Sequence, residues 1–524
     1  MKATKTSSGS GGKLVKAIRA VEIVGNKIPH PFFMFLYLAI IILVLSWGLA
    51  TLGVQASYIS AGSDGALEEV TVSVRNLLSA EYFHTITSGF TKTYINFAPL
   101  GLIMVMMLSI GFAQATGLFD AALRKVLLGA PPFLVTFVIC LVGVCANIAS
   151  NAGIVLASTL GAAIFASLGR NPILGAICGF TTCYGAWSAN LMVAGTDVLL
   201  AGITQAAAEG MGISAPAHPM INYFFMASAT LVISIVATFI TEKIMPNVIT
   251  IGKVTPAGQL DGKERVTPAQ NRGLRWAGIA AIVYVVILLF MTVPKNAILR
   301  AEDGSLIPSS PLVSGIVALL FAFFMATGIA YGIGCGTITK KEQIPAMMGE
   351  GLVSSLAFYV IALPAAFFIQ FFGDSKIGTV IAVLGGEALQ ALNFDGIPLL
   401  VAFVVLCAFI NLFMTGATEK WMILAPIFVP IFSMMGYSPA LTQLAYRIGD
   451  SIGNPISPVA TGIPILLAIL EKYRKEDDPE YGVGTVISLA LPYSIAFLVS
   501  FTLLMIVFVV FNIPIGPGAY IHLS

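Results

Sequence analysis

Arg447 and Asp450 are the residues of this sequence best placed to do chemistry. They sit in an apolar stretch, and a spacing of three puts them on one face of a helix. An ionisable group at membrane depth costs several kcal/mol unless it is paired or hydrated. Two readings follow: a self-neutralising structural pair, or an anion-binding guanidinium beside a carboxylate that takes a proton or cation. Asp197, in GTDVLL, is either an ordinary helix end or a proton-carrying partner from elsewhere in the chain. Trp421 either fills a packing gap, anchors at an interface or stacks on an aromatic ring. Asn411 can offer a carbonyl oxygen to a cation, and Pro439 suits the first turn of a helix. Ser150 and Asn151 form a polar tip inside an apolar run, and Glu419 and Lys420 read as a mutual pair beside an aqueous cavity.

The elements that must position these residues follow from length and hydropathy. A membrane helix needs roughly 20 apolar residues. Clear candidates are 31–54, 95–118, 220–241, 276–294, 310–332, 351–372 and 485–512, with interrupted segments at 172–200 and 440–470. Two further apolar stretches, 131–168 and 398–436, are too long for one helix and are broken midway by small polar residues. Lys and Arg mark cytoplasmic loops. By that rule the 1–30 tail, the 242–275 linker, Lys340–Lys341 and Lys472–Lys475 face the cytoplasm, and the acidic loop 55–94 faces outside. These assignments agree only if 131–168 and 398–436 enter and leave by one face. The expected architecture is an all-α polytopic membrane protein of nine transmembrane helices plus two re-entrant hairpins. Its first half would span 31–241 and its second 276–512, with 513–524 as a carboxyl-terminal tail outside.

An internal repeat supports that scheme. Residues 164–174 (IFASLGRNPIL) and 431–441 (IFSMMGYSPAL) share I-F-x3-G-x2-P-x-L, each closing a hairpin. The tips Ser150–Gly153 and Thr415–Thr418 correspond, and each hairpin precedes a break, at Tyr184–Asn190 and at Gly449–Pro458. Inverted repeats with paired interrupted helices point to a secondary-transporter site near mid-membrane. Non-helical backbone survives there only where protein or a water-filled cavity satisfies it. Packing through small residues is the plainer explanation for any single glycine.

Composition excludes the main competitors. With 57% hydrophobic and 10% charged residues and a mean hydropathy of +0.93, the chain has too little charge to be solvated by water alone. A net charge of +2 gives no nucleic-acid signal. The six cysteines form no CxxC, and the four histidines are scattered, so neither a zinc site nor a nucleophile–base pair is expected. That sets aside an intramembrane enzyme as a remote alternative. No GxxxxGK[ST] occurs, so an ion gradient rather than ATP is the expected drive. No cleavable signal peptide is expected, because no apolar run precedes Phe32.

The chain resembles the p-aminobenzoyl-glutamate transporter (AbgT) family over nearly its whole length. The matching stretches include GNKIPHPFFMF (25–35), SNAG (150–153), TDVLLAGITQ (196–205), GATEKWMILAPIFVP (416–430), YRIGDS (446–451) and LPYSIAF (491–497). The resemblance implies a homodimer in the bacterial inner membrane with its amino terminus cytoplasmic. It implies uptake of p-aminobenzoyl-glutamate or proton-driven export of sulfonamide antimetabolites; another small organic anion, such as a dicarboxylate, is the alternative substrate. It carries site roles to Asp197, Trp421, Pro439 and Arg447, and places Asn411 and Asp450 near a sodium site. No other cofactor is expected. Three stretches depart from the family pattern: TTCYGAWSAN (181–190), Pro455 after Asn454, and VLAST (155–159). The resemblance therefore fixes the fold more firmly than the substrate.

Overall fold

The computed structural model describes residues 29–61, 67–210, 212–213, 216, 218–249, 251–252, 266–306, 310–391 and 395–523. Expectations for residues 1–28 and for Lys253, Lys263 and Arg265 lie outside the described residues. Among the described residues, seven helices are long and apolar enough to cross a membrane. They are Pro31–Thr51, Ala80–Ala115, Tyr223–Val248, Pro268–Thr292, Ile316–Cys335, Leu356–Asp374 and Val483–Val510. Pro268–Thr292 buries little of itself, and Ile279, Ile282 and Phe290 stand exposed along it, as suits a lipid-facing helix.

The loop 55–94 is more structured than its acidic composition suggests. Gln55–Ala61 pairs antiparallel with Leu67–Ser73, a small exception to an otherwise helical protein. The amphipathic helix Ala80–Ile95 follows and leads, through a bend at Asn96–Phe97, into Ala98–Ala115.

The stretch 131–168 forms a helical hairpin, Val135–Ala146 and Ser150–Ser167, joined by a tight turn at Asn147–Ala149. The stretch 398–436 does the same with Gly396–Asn411 and Ala417–Met434. Each hairpin lies on a broken helix. The first consists of Pro172–Tyr184 and Gly195–Glu209, the second of Pro439–Gly453 and Gly462–Glu471. Absent side chains make the close approach possible. A Cβ at Gly175 would lie 2.1 Å from the Gly161 carbonyl oxygen, and one at Gly449 2.4 Å from that of Val404.

Residues beyond the last helix form a strap rather than a loose end. Ile515, Ala519 and Ile521 are buried. The Ile521 carbonyl accepts from the Ser438 N–H at 2.9 Å, the Tyr520 carbonyl accepts from Ser438 Oγ at 2.5 Å, and the Leu523 N–H donates to Gly436 at 3.0 Å. The strap therefore holds the start of Pro439–Gly453. His218 Nε2 donates to the Pro517 carbonyl at 2.9 Å while Nδ1 accepts from the Met220 N–H, which fixes one neutral tautomer. Burial pushes this imidazole down from 6.5 to about 4, only partly offset by the Pro517 carbonyl. With the strap detached, His218 would bind the proton that it refuses while covered, so docking is strongest above pH 6.5 and weakens as the pH falls towards 4. Deleting residues 514–524 is expected to lower the melting temperature by several degrees, since each buried Ile contributes about 1.5–3 kcal/mol. Limited proteolysis of the carboxyl terminus at pH 7.5 and 5 should show faster cleavage at the lower pH.

Candidate functional site

The two breaks face each other, and side chains satisfy their open backbone. In the first, the Trp187 carbonyl accepts from Arg447 Nη2 at 3.0 Å and the Ala189 carbonyl from Asn147 Nδ2 at 3.0 Å. Ser188 Oγ donates to the Arg447 carbonyl at 2.6 Å and lies 2.6 Å from Ser451 Oγ. At the second break, Ser457 Oγ donates to the Leu412 carbonyl at 2.8 Å, tying the break to its own hairpin. Buried backbone groups without such partners would be costly, so these polar side chains are what allow helices to stop here.

Two ion pairs lie within this framework, and neither is the one expected from spacing. Arg447 does not pair with Asp450; its Nη2 reaches Asp197 Oδ1 at 2.6 Å, across the two broken helices. Asp450 pairs instead with Lys420, Nζ to Oδ1 at 2.5 Å. Lys420 therefore does not pair with its neighbour Glu419, because adjacent residues on a helix point in different directions. All four groups are buried, with 1–3% of their surface exposed. Asp197 also accepts the Ala194 N–H at 2.7 Å, in the first turn of Gly195–Glu209, where the helix dipole favours a negative charge.

Trp421 is buried, its ring stacked on Tyr446 at 4.5 Å between centroids and 21° between planes. Its Nε1 donates to Thr204 at 2.8 Å, Thr204 donates to Gln443 at 2.5 Å, and Gln443 donates to Asn222 at 2.8 Å. That wire joins the second hairpin to both broken helices. Thr204, Gln443 and Asn222 were not apparent as site residues, because they lie on three separate elements and only the fold brings them together. Pro439 stands apart at the first turn of its helix, about 12 Å along the axis from Arg447, and the helix-start reading accounts for it. Ser150 and Asn151 head the helix Ser150–Ser167, and their side chains lie outside the described residues.

A second repeat emerges from the hydrogen bonds. Asn147 and Asn190 are 43 residues apart and bonded, as are Asn411 and Asn454. Asn147 Nδ2 also reaches a carbonyl 39 residues on, at Ala186, and Asn411 Nδ2 one 39 residues on, at Asp450. Each hairpin is thus clipped to its broken helix by a pair of asparagines. Their equal spacing was present in the sequence, in a register slightly offset from the I-F-x3-G-x2-P-x-L motif.

Two cavities border this core. One of about 460 Å3 opens beside the first hairpin, lined by Asp120, Arg124, Ala152, Val155 and Thr159. Another of about 760 Å3, bordered by Lys92, Glu209, Gln370, Asp374 and Lys376, lies at the opposite end of Gly195–Glu209 from Asp197. The smaller one, next to the polar tip, is the better candidate for a ligand path, and its size suits a small organic molecule. Trp187, whose backbone carbonyl accepts from Arg447, has its Nε1 buried without a hydrogen-bond partner among the described residues.

Residues 16–523 match the model of the AbgT transporter family. The chain is similar to the p-aminobenzoyl-glutamate transport protein of Escherichia coli, 35% identical over 519 residues and 99% of each chain. Among solved structures it resembles MtrF of Neisseria gonorrhoeae, described within a class of antimetabolite efflux pumps, at 36% identity and TM-score 0.88. That likeness covers 96% of this chain and 100% of the other. The YdaH transporter of Alcanivorax borkumensis is similar at 30% identity and TM-score 0.84, over 93% of this chain and 100% of that one.

Proposed function

The chain belongs to the AbgT transporter family, and from that premise we propose that it moves p-aminobenzoyl-glutamate-like organic anions, sulfonamide-type antimetabolites, or both, across the bacterial inner membrane on a proton gradient. It is a membrane transporter and not an enzyme. The observation that carries the finer reading is the buried Arg447–Asp197 pair at the meeting of the two breaks. A proton on Asp197 cancels its charge and frees the Arg447 guanidinium, whose planar fork matches a carboxylate. An anion arriving at Arg447 competes with Asp197 in turn, so proton and substrate are linked through one residue. Trp187 Nε1 supplies a further donor, and Trp421 offers a ring face once Tyr446 moves aside. Movement of each hairpin with its broken helix would expose this cluster to the two sides alternately. In this reading the protein works as a homodimer with its amino terminus in the cytoplasm.

The closed Trp421–Tyr446 stack favours a second reading, a dicarboxylate lacking a ring, for as long as the two rings stay together. Proteoliposomes loaded at one pH and diluted into another decide between them. Labelled p-aminobenzoyl-glutamate or a sulfonamide is expected to move with the imposed gradient and to stop moving on addition of a protonophore. Gradient-driven flux of dicarboxylates alone would select the second reading, and flux of none would overturn both.

A further inference from the structure

The resemblance put Asn411 and Asp450 near a coupling sodium, and the geometry of these residues does not fit one. Lys420 Nζ lies 2.5 Å from Asp450 Oδ1 and also donates to Asn411 Oδ1. The two oxygens best able to hold a cation are therefore both engaged by a cation that the chain carries itself. Neighbouring polar groups are engaged as well. Tyr446 Oη is 3.4 Å from Asp450 Oδ1, and Asn411 Nδ2 donates to the Asp450 carbonyl at 2.5 Å and to Asn454 Oδ1 at 2.9 Å. Glu419, the other acid nearby, is folded against the tip, where a Cβ on Gly416 would meet its Oε2 at 2.2 Å.

The first half supplies the comparison. Its asparagine clip has the same spacing but holds neither charge: the helix Ser150–Ser167 carries Gly153 where Ala417–Met434 carries Lys420, and the Asn147 amide bonds the carbonyl of Ala186 where the Asn411 amide bonds that of Asp450. The lysine and the aspartate thus differ between the halves together. An extra buried carboxylate needs a counter-cation, and the side chain nine residues beyond Asn411 provides it.

We propose that Lys420 is a tethered resident cation that fills the cation seat of the second hairpin. This half then takes no sodium, and a sodium site appears there only when the ammonium is removed. An ammonium and a sodium ion make the same demand on the seat, one positive charge met by carbonyl and carboxylate oxygens. They differ in that the tethered one cannot leave, so no sodium gradient can act through it. The inference bears on ion choice in the transporter reading, but its test reads binding alone and can fail while transport stands.

The test is equilibrium binding of radioactive sodium to the purified full-length protein, with choline as the balancing cation. The wild type is expected to stay at background up to millimolar sodium. Lys420→Ala is expected to bind at least tenfold more sodium and to gain sodium-dependent thermal stability, and Lys420→Ala with Asp450→Ala to lose both. Sodium binding by the wild type that disappears in Asp450→Asn would overturn the proposal. So would a folded Lys420→Ala protein that binds none. Should Lys420→Ala fail to fold, Lys420→Gln takes its place with the same expected and overturning outcomes.

Discussion

Arg447→Ala is expected to lose both transport and stability, and the two losses are expected to come apart when Asp197 is changed as well. Removing the guanidinium leaves the Asp197 carboxylate buried and without its 2.6 Å partner. Breaking a buried pair in this way costs about 3–5 kcal/mol. Replacing both partners with apolar residues of similar volume, Arg447→Met with Asp197→Leu, removes the unpaired charge and should restore most of the melting temperature. Transport should not return, because the residue meant to hold the substrate anion is still missing. Losing such a charged contact costs about 2–5 kcal/mol of ligand affinity, a drop of at least about thirtyfold. A neutral double variant that transports like the wild type would reduce Arg447 to a structural brace and remove it from the site.

The parts legible in the sequence were those that hydropathy and local composition control. Long apolar runs marked the spans, and polar residues inside apolar runs marked the hairpin turns and breaks, because lipid tolerates open backbone only where something satisfies it. Partner choice was not legible. Helix spacing places Arg447 and Asp450 on one face, but it cannot say that each finds its counter-charge on a different element, 250 residues away for Arg447. The Glu419–Lys420 pairing failed for a reason the sequence already contained, since neighbours on a helix diverge by about 100°. The strand pair Gln55–Ala61 and Leu67–Ser73 was also visible in principle. The alternation in VTVS has the period of a strand, whereas the acidic character of the loop speaks only to its side of the membrane.

Trp421 provides the sharper test of substrate, because its two roles predict different patterns across ligands. Its ring is buried against Tyr446 and its Nε1 feeds the Thr204–Gln443–Asn222 wire, so Trp421→Ala should destabilise the protein by about 3–5 kcal/mol whatever the substrate. That variant therefore says little about recognition. Trp421→Phe keeps a ring and gives up one hydrogen bond of about 1 kcal/mol, and Trp421→Leu keeps apolar volume without any ring. If Tyr446 yields its place to an aromatic substrate, Phe should hold p-aminobenzoyl-glutamate within about tenfold of wild-type affinity. Leu should then weaken that ligand by a further about 0.5–1.5 kcal/mol, while leaving a ringless dicarboxylate unaffected. The ratio of the two dissociation constants in each variant is the quantity to measure, since changes in overall stability cancel from it. A ratio that stays constant from Trp to Phe to Leu would mean that the ring serves Tyr446 alone. The aromatic part of the substrate would then have to be read elsewhere, with Trp187, whose Nε1 has no partner among the described residues, the next residue to change.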